Sequence, residues 1–136
     1  MNIQEAMKQM NDVRKAGHQG MRIKEILAVL DAAPDNIQVI FDFEYLAPDG
    51  FISYRGYYED LAIMFNDKKA PSCEQFRNDL RNCIGKEFYG YKGGDYTMGE
   101  DTLVWVANSG NTGGTAVVRV TFNNYEVVLH TAKIDD

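Results

Sequence analysis

A chain of 136 residues and 15.4 kDa, 45% apolar and 25% charged, is sized for one globular domain around a single core rather than for a disordered segment. Its 14 Lys+Arg against 20 Asp+Glu give a net charge of -6 and a pI near 4.9. That balance excludes a protein that coats duplex nucleic acid or an anionic membrane through its overall field, so any anion it binds must meet a local pocket.

In chain order, Asn2 and Glu5 pattern as a helix start, and Ile3, Met7, Met10 and Val13 follow near helical spacing, which predicts a first helix to about Lys15. This opening stretch has no apolar core of the signal-peptide kind. No run approaches the roughly 20 apolar residues of a membrane span, so the cytoplasm is the expected compartment. After a break at residues 16–20, Ile23, Ile26, Leu27 and Leu30 predict a second helix, closed by Pro34. From Asn36 to Phe43 the period changes to two. Strands are expected there, at residues 51–55 and at 57–65, with Pro48-Asp49-Gly50 as a turn.

Ser72 and Gln75 form a capping-box pattern opening a third helix, whose buried side is Phe76, Leu80, Cys83 and Ile84 and which ends at Gly85. Cys73 and Cys83 fall in that helix ten positions apart. At about 1.5 Å of rise per residue they lie far beyond disulfide reach, so both are expected as reduced packing residues. Strands are predicted at 103–107, 115–122 and 125–131, the last two joined at Asn123-Asn124. In residues 115–122 strict alternation puts Ala116, Val118, Val120 and Phe122 on one face and Val117, Arg119 and Thr121 on the other. The expected architecture is a single-domain α+β fold over residues 1–136: a largely antiparallel sheet with about three helices, two of them in an N-terminal segment (1–34) ahead of a sheet-rich body (36–134).

Six of the eight tyrosines fall in two short stretches, Ser53-Tyr54-Arg55-Gly56-Tyr57-Tyr58 and Phe88 to Met98. Tyrosine offers a flat apolar face and a hydroxyl, arginine a planar fork for phosphate, and glycine close backbone approach. Together they suit an aromatic, phosphate-bearing molecule such as a nucleotide. The same tyrosines equally suit sheet packing or a subunit interface. The candidate ligand residues are Tyr57, Phe88, Tyr89 and Tyr91 for stacking, Arg55, Lys92 and Arg119 for phosphates, and Asp95 and Asn108 for ribose hydroxyls. Catalytic and metal patterns are missing: two cysteines and two histidines have no zinc-ligand spacing, the glycines do not match a P-loop, and the acid pairs Glu59-Asp60 and Glu100-Asp101 read as solvated. No cofactor is expected.

The strings SYRGYYEDLA (53–62), GYKGGDYTM (90–98) and VWVA (104–107) resemble the Thoeris anti-defence protein 1 family of phage proteins, over roughly residues 36–134. The resemblance implies a non-enzymatic sponge. It would bind 1''-3' glycocyclic ADP-ribose in the infected bacterium's cytoplasm and hold it away from the NAD-depleting effector of Thoeris immunity. It also implies homo-oligomers, dimers or hexamers, and binding of cyclic oligonucleotides at separate sites. Other classes weighed beside it are a nucleotide-processing enzyme using Glu59, Asp60 or His130, and an interaction module with no small ligand.

Overall fold

The computed structural model describes residues 20–44, 46–55, 57–90, 94–107 and 114–134. The helix expected over residues 2–15 lies outside them. Two helices stand among the described residues, and only one precedes the sheet: α1 (Ile23–Ala32) does, while α2 (Cys73–Cys83) follows three strands. The strands are β1 (Gln38–Phe41), β2 (Ala47–Tyr54), β3 (Tyr57–Asn66), β4 (Glu87–Tyr89), β5 (Asp95–Thr97), β6 (Val104–Val106), β7 (Gly114–Phe122) and β8 (Glu126–Ile134).

Six of them form one sheet in the order β1-β8-β7-β6-β3-β2, and β4 and β5 pair separately as a hairpin. The fold is α+β and its strand pairing is largely antiparallel, as expected, with two parallel pairs in the six-stranded sheet. β1 runs parallel to β8 and β3 parallel to β6, because the chain leaves β3 through α2 and the hairpin before returning beside it as β6. The outer edge of β1 is covered rather than open. Val39 N–H donates to Pro71 O and Cys73 N–H to Ile37 O, at 3.0 and 2.7 Å.

Amphipathic spacing does form α1, which buries Ile23, Ile26, Leu27 and Leu30 on one stripe. The Glu25 carboxylate accepts the Arg22 N–H at 2.9 Å and closes its first turn. In α2 the Ser72 hydroxyl accepts the Gln75 N–H at 3.1 Å, as the cap pattern predicts. The Gln75 side chain turns away and donates to Asp79 instead. Both cysteines are buried and free.

The helices are tied by two arginines of α2, of which Arg81 holds Asp31 of α1 at 2.8 Å. Arg77 on α2 donates to Leu30 O at 2.9 and 3.2 Å, to Ala33 O at 3.3 Å and to Asp35 Oδ1 at 2.7 Å, capping the negative end of α1 with a charge. Between helices and sheet lies the main core, with Val39, Phe41, Leu61, Ile63, Val104, Val106, Val117, Val120, Val127 and Leu129 pointing in from the strands.

Two irregularities shape the sheet. Pro48-Asp49-Gly50 is a bulge inside β2 rather than a turn ahead of it: Pro48 pairs with Phe65 and Phe51 with Ile63, so Asp49 and Gly50 stand against the single residue Met64 and β2 carries one residue over. Gly50 takes φ +106, open to glycine at little cost. In β7 the register skips Val118, since Val117 faces Thr131 and Arg119 faces His130. Strict alternation therefore fails there. Ala116 and Val118 join a small outer cluster while Val117 and Val120 enter the core, so Val118 and Arg119 follow one another on the outer side.

Candidate functional site

The sheet face turned away from the helices carries the densest unusual chemistry. Register aligns Ala132, Ala116, Trp105, Ala62 and Ile52 in one row across β8, β7, β6, β3 and β2. The small residues beside Trp105 leave its indole room to lie flat. Tyr54 stacks on it at 4.6 Å between centroids with planes 5° apart, and Tyr57 follows at 6.2 Å and 19°. Trp105 is 0% exposed although it stands on the outer face. Its Nε1–H donates to Asp60 Oδ2 at 3.0 Å.

Asp60 is therefore a buried partner of the indole, not the solvated acid its Glu-Asp context suggests. The other acid pair is also divided: Asp101 holds Lys24 Nζ at 2.6 Å, and the Glu100 carbonyl accepts the Lys24 N–H. Tyr58, Glu59 and Asp60 fall between the pairs Tyr54–Tyr57 and Ser53–Leu61, where the ladder breaks. The Ser53 hydroxyl donates to the Tyr58 carbonyl in that break.

The two tyrosine strips do meet. Tyr58 on β3 stacks on Tyr96 of β5 at 5.9 Å, and Gly90 sits against both rings, where a Cβ would come within 2.8 Å of Tyr96 and 3.1 Å of Tyr58. Glycine is needed there for close approach, and Gly90 N–H donates to Gly94 O at 3.0 Å to close the hairpin.

The candidate residues separate into groups. Arg55 is exposed at the β2–β3 connection and Tyr57 half-buried beside it. Arg119 is exposed on β7, three residues beyond Ala116. Because β7 runs antiparallel to β6, and β6 parallel to β3, Arg119 and the start of β3 lie toward the same end of the sheet from the Trp105 row. Phe88 goes elsewhere: it is 9% exposed, packs into the main core and carries Lys86 Nζ 5.2 Å above its ring. A ring so committed does not stack on a ligand. Its neighbour Tyr89 is 74% exposed, opposite Asp95 in the hairpin. Tyr91, Lys92 and Asn108 lie outside the described residues.

Four residues of the outer face were not among the ligand candidates, although His130 was weighed for the enzyme alternative. Trp105 and Gly114 form the stack's base, and Thr121 and His130 face each other diagonally beside Arg119, with Thr121 Oγ1 and His130 Nε2 2.7 Å apart.

On the helix side a groove of about 550 Å³ opens between β2 and α2, rimmed by Gln38, Asp49, Lys69, Gln75 and Asp79 over Phe51 and Phe76. None of the described candidate residues lines it. Among the described residues no three His, Cys, Asp or Glu side chains gather into a metal-binding group. No described helix is long and apolar enough to cross a membrane. Compared with protein-family models, curated proteins and solved structures, the chain matches none.

Proposed function

We propose that this protein is a non-catalytic binder of an aromatic, phosphate-bearing small molecule, and that it acts as a phage-encoded anti-defence sponge. In this reading it captures a cyclic ADP-ribose signal, 1''-3' glycocyclic ADP-ribose, in the bacterial cytoplasm and so blocks Thoeris immunity. The single observation that supports it best is the outer sheet face, where a stacked aromatic cluster adjoins an arginine that makes no ion pair among the described residues. Trp105 and Tyr54 are buried in that stack, so the half-buried Tyr57 ring is what the face offers for base stacking, and the exposed Arg119 is what it offers for phosphate recognition.

Sequestration demands tight capture: a nanomolar Kd corresponds to about -12 kcal/mol. An open sheet face reaches that only with further enclosure, which a homo-oligomer, a dimer or hexamer, would supply by covering the ligand and reducing its ordering cost. The test is a thermal-shift panel of cyclic and ADP-ribose-type nucleotides, followed by heating the complex and recovering the ligand. Stabilisation with intact ligand supports the sponge. Recovery of a linearised product makes the protein a nucleotide-processing enzyme, and the absence of any shift across the panel overturns ligand binding in favour of an interaction module.

A further inference from the structure

We propose that Arg119, His130 and Thr121 form a phosphate-recognition patch on the outer face of β7 and β8. The proposal deepens the reading above and rests on it only for the identity of the whole ligand. Three observations carry it.

The first is charge. Among the described residues Arg22 pairs with Glu25, Arg77 with Asp31 and Asp35, and Arg81 with Asp31. Arg119 is exposed and has no carboxylate partner among the described residues, in a chain with net charge -6. A guanidinium left without a carboxylate in an acidic protein keeps its fork available for an oxyanion.

The second is register. The β7 bulge sets Arg119 directly across from His130, and cross-strand partners on one face hold their Cβ atoms about 5 Å apart. Without the bulge, alternation would turn Arg119 toward the side of Val117. Val118, the bulged residue, packs on the cluster of Tyr54 and Trp105, so the patch adjoins the aromatic stack.

The third is donor supply. Thr121 Oγ1 and His130 Nε2 share one hydrogen bond at 2.7 Å. If the hydroxyl donates to Nε2, the neutral ring keeps its proton on Nδ1. If Nε2–H donates to the hydroxyl, the threonine proton is left over. Either tautomer leaves one donor beside the guanidinium, which is what a phosphate oxygen needs.

The experiment uses the full chain with inorganic pyrophosphate, ADP-ribose and 1''-3' glycocyclic ADP-ribose as probes, titrated calorimetrically at about 50 mM salt, where surface charge is less screened. The variants are Arg119→Ala, Thr121→Val and His130→Gln, with Arg81→Ala as the control arginine. All four positions are exposed or half-buried, and circular dichroism melts verify folding. Saturable pyrophosphate binding is expected, weakened at least tenfold by R119A, three- to tenfold by T121V and by H130Q, and unchanged by R81A. Pyrophosphate binding that R119A leaves intact, or no saturable binding at all, overturns the patch. If the cyclic nucleotide binds all variants equally, the patch is wrong and the sponge reading survives. If pyrophosphate binds through Arg119 while no nucleotide binds, the patch stands and the sponge reading fails.

Discussion

Gly114→Ala tests whether the outer aromatic stack is a rigid body. A Cβ at this position would lie 2.7 Å from Trp105 Cε3, closer still to Cζ3, and 2.7 Å from the Tyr54 hydroxyl oxygen. Two effects oppose one another. Replacing glycine by alanine restricts the unfolded chain and stabilises by about 0.4–1 kcal/mol where the backbone accepts it. Overpacking costs about 1–3 kcal/mol when the neighbours cannot move. Trp105 is fully buried, stacked under Tyr54 and hydrogen-bonded to Asp60, so the ring has little freedom to yield and the steric cost wins. A net loss of about 1–2 kcal/mol lowers Tm by roughly 4–7 °C for a domain of this size. The assay is thermal unfolding followed by near-ultraviolet circular dichroism, which reads this chain's single tryptophan. Trp105→Phe removes the outer ring carbons that the new methyl meets, so G114A should cost clearly less in the W105F background. A G114A protein that melts within 1 °C of the parent, with an unaltered tryptophan signal, refutes the argument.

The arginine latch between the helices makes a second prediction. Arg77→Met takes the charged donor from the Ala33 carbonyl and from that of Leu30, which keeps the Ala33 N–H, and should cost about 2–3 kcal/mol by urea unfolding. Arg77→Lys should recover less than half of this, since a single ammonium does not span both carbonyls and Asp35. A third concerns the thiols. Burial pushes the Cys83 thiol from 9.0 up to about 11 and raises that of Cys73 as well. Neither should react with an aromatic disulfide reagent at pH 8 until urea is added. A thiol whose folded pKa is raised contributes its full stability below pH 9 and loses it as the pH climbs toward 11. The parent should thus lose on the order of 2 kcal/mol more than Cys83→Ala between pH 8.0 and 10.5. Equal losses in the two proteins would count against a buried, neutral thiol.

Local physics made most elements legible in the sequence. α1 and α2 appear where apolar spacing and the Ser72 cap place them, because capping and amphipathic periodicity are properties of neighbouring residues. The mixed sheet was not legible, since whether β6 returns parallel or antiparallel to β3 depends on the path through α2 and the hairpin, not on the sequence of either strand. The candidate site divides in the same way. Tyrosine clustering marked two strips without saying which face either takes: Tyr54 and Tyr57 stand in the outer cluster, while Phe88 of the second strip joins the main core with Cys83 and Met98. Arg119 could be singled out as the only charge in its strand, but its orientation hangs on one skipped residue, Val118, that no local pattern marks. A one-residue bulge reverses every subsequent side chain. The same event that defeats alternation as a guide sets Arg119 opposite His130, so the position least predictable from sequence is the one on which the proposed phosphate chemistry depends.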